Sequence, residues 1–537
     1  MSDLRSEHGR TRREIVRLGA GAAATALLPA LAPGAAAAAL RPATRPATRS
    51  PYPRSPLTGA ATRRVDPGKF MPPGQMRSWY EQLDGRGLRA TGSSEHQSYI
   101  DQLRARLPQL GVSGVVAEDV PLTRWSASQP TLDIVSGPSA GSLPVANYIP
   151  YSGPLPGGSV TGELVFMPDP TASGATPPAP GSLAGKIAVF DITIPPYTLG
   201  LFALFGYEIY NKPGFDLTAP YVRSYLAQGD VEAQEVAAQA AGAVAAIGVL
   251  PLNEFASKGM YMPYDGVIHR IPGAFVSQGT GAKLKALAGT GTRVRLRMKT
   301  QIKQVQTQNL YGFIPGASKE LVVVHSHTDG PNGIEDDGPD TISSIAQYLA
   351  RIDKHALPRT VMILYTSGHF AGGVGAVAWC KRHAHDLIPR IAAAVTVEHV
   401  GAKLGTPQPD GSVKISNAPE PQAFFMPAST GLERASYGMF KRAGTQAGLV
   451  AKPLTPDATP TEAAWPGEGQ YLWNNGGIAD TNYITGPSYL LNAGMKTTGY
   501  VDYGDLRRKA IAFTDMALGL TRAPRASLNA PKPTHTG

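Results

Sequence analysis

Three continuous apolar runs constrain this chain more than any other feature: LVVV at 321–324, VMILY at 361–365 and IAAAV at 391–395. A strand with one wet face alternates apolar and polar residues, so unbroken runs fit strands covered on both faces. Between the first two runs lies TISSIAQYLARI, with Ile342, Ile345, Leu349 and Ile352 at helical spacing. A second helix is expected from Gly373 to His383. This rhythm predicts an α/β fold, a mostly parallel central sheet with helices on both faces. Functional groups in such sheets gather at the carboxyl ends of the strands.

Each run is followed by a polar cluster: His327 and Asp329, then Gly368, His369 and Phe370, then Glu398 and His399. Imidazoles with carboxylates are the donor set that suits a zinc ion. A single loop histidine is ordinarily a hydrogen-bonded side chain. The EDDGPD run could equally face water or bind calcium through hard oxygens. The signal is the repetition at three successive strand ends. No H-E-x-x-H helix occurs, which argues against other zinc peptidases.

Charge narrows the class further. The chain of 537 residues carries a net charge of +10. Residues 1–69 hold 12 Lys/Arg against 4 Asp/Glu, so the excess sits in a tail and the remainder is nearly balanced. That distribution speaks for targeting and against nucleic acid as a partner. Arg12 and Arg13 precede an Ala-rich apolar stretch and small residues near 35–39, the pattern of a twin-arginine signal peptide over 1–39. The stretch is too interrupted by Pro and Gly for stable membrane insertion. Export to the cell envelope or the outside is therefore expected. The one cysteine, Cys380, excludes an intrachain disulfide and thiolate metal clusters.

The organisation expected from composition is a disordered Pro/Arg-rich linker over 40–67, a domain begun at 68–140 and completed at 304–522, and a flexible tail at 523–537. Ser93 or Ser94 caps a helix with Tyr99, Leu103, Leu107 and Leu110 on one face, ended at Gly111. Between 141 and 303 short strands and Ala-rich helices alternate. The segments GKI, AQAAGAVAAIGV and IPGAFVSQGTGAKL resemble a protease-associated domain, a small β-rich module inserted in secreted peptidases. The aromatic-rich stretch 192–232 inside it reads as a local core or a lid.

From about 85 to 520, including GLRATGSSEHQSYIDQLRARL, the chain resembles the co-catalytic zinc aminopeptidases. The resemblance implies that His327 is a zinc ligand and Asp329 its orienting carboxylate. It implies that Asp336 stands where a bridging aspartate belongs and Glu398 where a late acidic ligand belongs. Which of Glu335, Asp336 and Asp337 faces the metal stays open. The family's Glu-Glu pair is replaced by His369-Phe370, and its final histidine by Gly469 or Gln470. The implied centre is therefore one zinc on His327, Asp336 and Glu398, with His369 as proton shuttle. The implied activity is a peptidase acting on peptide or protein substrates. The alternative is an inactive homologue that binds extracellular peptides or proteins.

Overall fold

The computed structural model describes residues 50–529, apart from 136, 173–174, 201–207, 212, 214–215, 447 and 452–464. The signal-peptide segment 1–39 and the end of the tail, 530–537, lie outside the described residues.

One sheet positions the site. Its strands are β1 (Ser113–Ala127), β2 (Glu208–Tyr210), β3 (Thr300–Ile314), β4 (Ser318–His327), β5 (Arg359–Thr366), β6 (Ile391–Val397), β7 (Gln422–Phe425), β8 (Gly448–Ala451) and β9 (Asp480–Thr485). Their spatial order is β1-β3-β5-β4-β6-β9-β7-β8-β2. The three apolar runs form β4, β5 and β6, and the block β5-β4-β6-β9 is parallel throughout. Both flanks turn antiparallel, at β1/β3/β5 on one side and at β9/β7 and β8/β2 on the other. Their sequences differ in kind. β3 opens with the polar TQIKQVQTQ and is largely solvent-facing there, whereas β6 is buried at every position.

Alternation along β4 feeds two cores. Val322 and Val324 face one side, where they join Ile342 and Ile345 of α3, Phe440 of α5 and Phe513 of α7 (helices Gly338–Leu349, Thr430–Ala443 and Tyr503–Arg522). Leu321 and Val323 face the other side, against Ala376 and Trp379 of α4 (Val374–Arg382) and Leu472 of α6 (Gly469–Gly476). Helices thus cover both faces of the sheet, as the continuous runs require. Two helices precede the sheet, α1 (Pro73–Asp84) and α2 (Ser94–Gln109). Ser93 caps α2 by accepting from the His96 amide, and Gly111 (φ +96°) turns the chain out.

A second sheet takes its strands from residues 131–297, with its own core of Leu132, Ile187, Ile247, Val276 and Leu296. It starts before the expected boundary at 141, because Thr131–Ile134 pairs with Arg293–Arg297. Thr300 already belongs to β3 of the large sheet.

The described part of the expected disordered linker, 50–67, is ordered instead. Leu57 and Val65 are buried, the Leu57 amide donates to Arg351 O, and Tyr348 Oη donates to Ala61 O. Apolar residues spaced along a Pro-rich segment find the groove beside α3, and that burial offsets the cost of ordering the chain. No helix among the described residues is long and apolar enough to cross a membrane.

Candidate metal centre

The carboxyl ends of β4, β5 and β6 converge on one buried spot. His327 is the last residue of β4, His399 follows β6, and Glu335 lies in the turn before α3. Glu335 Oε2 is 3.6 Å from His327 Nε2, and Glu335 Oε1 is 3.5 Å from His399 Nε2. One ligand atom from each of the three residues falls within a mutual 4.8 Å. His327 Nε2, His399 Nε2 and Glu335 Oε2 are all buried without a hydrogen-bond partner.

Backbone carbonyls decide the state of both imidazoles. His327 Nδ1 lies 2.9 Å from Asp329 O, and His399 Nδ1 lies 2.6 Å from Thr485 O. A carbonyl only accepts, so each Nδ1 carries the hydrogen and each Nε2 presents a lone pair to the centre. Burial holds both rings neutral, pushing His399 down to about 3 and His327 well below the ordinary histidine value. His399 is held at φ +55°, a strained conformation for a side-chain residue, and that turn aims its ring inward. Glu335 is pushed well up, first by burial and then by Asp336, Glu398 and Asp329. Two bare imidazole nitrogens and a buried acid fit a divalent cation that would satisfy all three.

His369 stands beside these three residues. Its ring stacks on His327 with centroids 4.3 Å apart, and its Nε2 is 3.8 Å from Glu335 Oε1. It does not belong to the set of mutually close ligand atoms. Its Nδ1 lies 2.8 Å from Glu468 Oε2.

The residues expected to form the site are distributed differently. Asp336 turns away from the histidines: its carboxylate accepts from Nε and Nη2 of the fully buried Arg89. Burial raises Asp336 and Arg89 draws it back, to about 6. Adjacent turn residues point in different directions, and a buried guanidinium claims the second carboxylate while the first faces the imidazoles. Asp329 orients His327 through its backbone carbonyl. Its carboxylate instead accepts from the amides of Gly368, His369 and Phe370 and from Thr91 Oγ1, which shapes the turn after β5. Glu398 Oε1 accepts from the Glu468 amide at 2.7 Å, and its neighbour His399 is the residue that faces Glu335. No spacing in GEGQ marks Glu468 in the sequence.

No family model matches the chain, and no curated protein matches its sequence. Solved structures do match. A peptidase M28 precursor from Shewanella amazonensis superposes with a TM-score of 0.59 at 17% identity, over 86% of this chain and 100% of that one. A zinc aminopeptidase from Bacillus subtilis gives a TM-score of 0.57 at 14% identity, over 85% and 98%. An aminopeptidase from Aneurinibacillus gives 0.50 at 14% identity, over 88% and 96%. The chain has the zinc aminopeptidase fold.

In this fold the centre opens to a pocket whose floor is Glu335, His369 and His399 and whose walls include Tyr221, Tyr225, Tyr264, Phe425 and Leu449. The 192–232 stretch reaches this wall. Tyr197–Thr198 pairs with Pro220–Tyr221, and the Tyr221 and Tyr225 hydroxyls are 2.7 Å apart. Leu199, Tyr221 and Leu226 also pack with Phe425, Leu449 and Trp473, so these residues form a local core beside the pocket wall. Arg223 bolts it down through Glu420 (2.6 Å) and Gly486 O (2.9 Å). A larger cleft bounded by Asn147, Lys258 and Ala493 holds no group of three metal-ligating side chains among the described residues.

Proposed function

We propose that this protein is a hydrolase of peptide or amide bonds that works with one zinc ion held by His327, Glu335 and His399. The observation that carries this reading is the convergence of three buried, unpartnered ligand atoms, with both imidazole tautomers set for coordination. Three ligands leave a position open, the arrangement of catalytic zinc. The solved structures of like fold include a zinc aminopeptidase and a peptidase M28 precursor, which supports the same chemistry.

Bound zinc would polarise a carbonyl and acidify water. The chain's own residues supply the rest. His369 Nε2, beside Glu335, accepts a proton from the attacking water and returns it to the leaving amine. Asp329 holds the 368–370 turn by three amide hydrogen bonds, which fixes the height of His369 over the centre. The aromatic wall takes an apolar substrate side chain.

The test is elemental analysis of the mature protein with Glu335→Gln and His399→Ala variants, followed by a peptide-substrate screen. About one zinc per chain, lost in both variants, with peptide hydrolysis by the wild type, is the expected result. Failure to bind zinc on supplementation would leave a binding protein on a peptidase scaffold. We also propose export by the twin-arginine route, resting on Arg12 and Arg13 ahead of the Ala-rich stretch. N-terminal sequencing of the secreted protein tests it, and an uncleaved cytoplasmic product would reject it.

A further inference from the structure

We propose that Glu468 is a positioning residue that sets the tautomer and orientation of His369, an inference that rests on His369 being the proton acceptor of the proposed hydrolase. Glu468 is fully buried at the N-cap of α6. Both carboxylate oxygens are engaged. Oε2 lies 2.8 Å from His369 Nδ1, and Oε1 accepts from Thr366 Oγ1 at 2.8 Å. The Glu468 amide donates to Glu398 Oε1 at 2.7 Å, and the next amide, Gly469, donates to Asn482 Oδ1 at 2.8 Å. The carboxylate therefore has little freedom to turn.

Its outer partner is braced in turn. Thr366 Oγ1 is 2.9 Å from His325 Nε2, and His325 Nδ1 is 2.9 Å from Thr396 Oγ1. Thr396 Oγ1 lies 2.8 Å from Asp480 Oδ2. A continuous buried chain thus crosses the sheet under the centre from β9 to the turn after β5, and Glu468 is its last member before His369. Hydrogen-bonded chains of this kind restrain their members beyond what single pairs achieve.

The consequence follows from donor chemistry. An ionised carboxylate only accepts, so it draws the hydrogen of His369 to Nδ1 and leaves Nε2 as a bare lone pair toward Glu335. Among the described residues no other group is hydrogen-bonded to a His369 ring nitrogen, and Glu335 Oε1, 3.8 Å from Nε2, stands beyond hydrogen-bond reach. His327 and Tyr264 lie against the ring, with centroids at 4.3 and 5.5 Å, and hold its plane. Stacking does not distinguish one ring nitrogen from the other. A role confined to tying down the loop would leave the tautomer untouched, so the two roles separate cleanly.

Glu468→Gln makes the separation. Its amide oxygen still accepts from Thr366, which turns the NH₂ toward His369 Nδ1. Nδ1 must then accept, and the ring hydrogen moves to Nε2, where it blocks proton uptake. The measurement is the imidazole ¹⁵N spectrum of the mature full chain labelled at histidine, with His369→Gln assigning the signal, alongside kcat and KM of zinc-supplemented protein. The expected wild-type state is Nδ1–H, and the expected Glu468→Gln state is Nε2–H. The variant should lose kcat by about 10²-fold or more, with KM and zinc content within a few-fold. Wild-type His369 carrying its hydrogen on Nε2, or a variant that keeps Nδ1–H, overturns the assignment. The wild-type spectrum decides even where the variant does not fold. If the zinc-supplemented wild type cleaves nothing, the hydrolase reading fails, and the spectra still decide the role of Glu468.

Discussion

Glu335 and Asp336 are neighbours in the chain yet serve opposite ends of the turn: Glu335 lies within 3.6 Å of His327 Nε2, while the Asp336 carboxylate is held by Arg89. Swapping the chemistry of these two positions should have unlike effects. Glu335→Gln should weaken zinc binding at least about 10²-fold, beyond the 10–100-fold seen for outer partners. Glu335 Oε2 is buried without a hydrogen-bond partner, so the metal-free melting temperature should hold or rise. Asp336→Asn should instead cost about 3–5 kcal/mol by leaving the Arg89 charge buried and uncompensated. Zinc titration calorimetry beside thermal melts separates the pair. Loss of zinc in the Asp336 variant at unchanged stability would return the ligand role to Asp336.

His369→Ala should retain zinc and lose activity. His369 lies outside the mutually close ligand set, so the expected loss is about 10²–10⁴ in kcat, typical of a missing general base. Metal content measured on the same preparation checks the assignment. A variant that also loses its zinc would make His369 a ligand.

Tyr225→Ala should change selectivity more than turnover. The ring lines the pocket and its hydroxyl meets that of Tyr221 at 2.7 Å. Removing it should raise KM roughly tenfold for substrates with a large apolar side chain, about 1.4 kcal/mol, with a smaller effect on alanine substrates. Steady-state kinetics on a paired substrate set reads this directly. Equal changes for both substrates would mean that the ring only packs.

Stability should fall as the pH rises from about 4.5 to about 7. Burial, and then Asp265, push Glu232 up from 4.5 to about 7. The folded chain therefore holds this proton more tightly than the unfolded one. The stabilisation is complete below the unfolded value and is lost as the pH rises through about 7. Glu420 moves in the same sense, raised to about 7 by burial against the opposing pull of Arg223. His96, lowered to about 4 by burial, acts oppositely and costs stability as the pH drops below 6.5. Glu232→Gln should flatten the alkaline side by about 1–2 kcal/mol, less than the full 1.36 kcal/mol per unit because the group is partly exposed. Chemical denaturation at pH 5 and pH 8 measures it. An unchanged difference in the variant would remove Glu232 from the account.

Much of the frame is legible in the residues. Unbroken apolar runs mark β4, β5 and β6 because a doubly covered strand has no polar face to display. Helical spacing marks α3, and a serine marks the start of α2. The place of the site follows too, since polar residues directly after such strands lie at one edge of a parallel sheet. The linker was less legible. Its composition reads as disorder, and only the groove beside α3 makes Leu57 and Val65 core residues.

By itself, the sequence determined the strand-ends at which chemistry collects and the donor types present there, because both depend on local periodicity and residue identity. Tertiary structure alone decided which donors meet. Arg89, from the turn before α2, takes Asp336, while Glu335 faces the two histidines. The Thr485 carbonyl on β9 sets the tautomer of His399, and Glu468, from the turn before α6, grips His369. Coordination and proton position depend on ångström-scale distances between segments far apart in the chain, and no local pattern carries those distances.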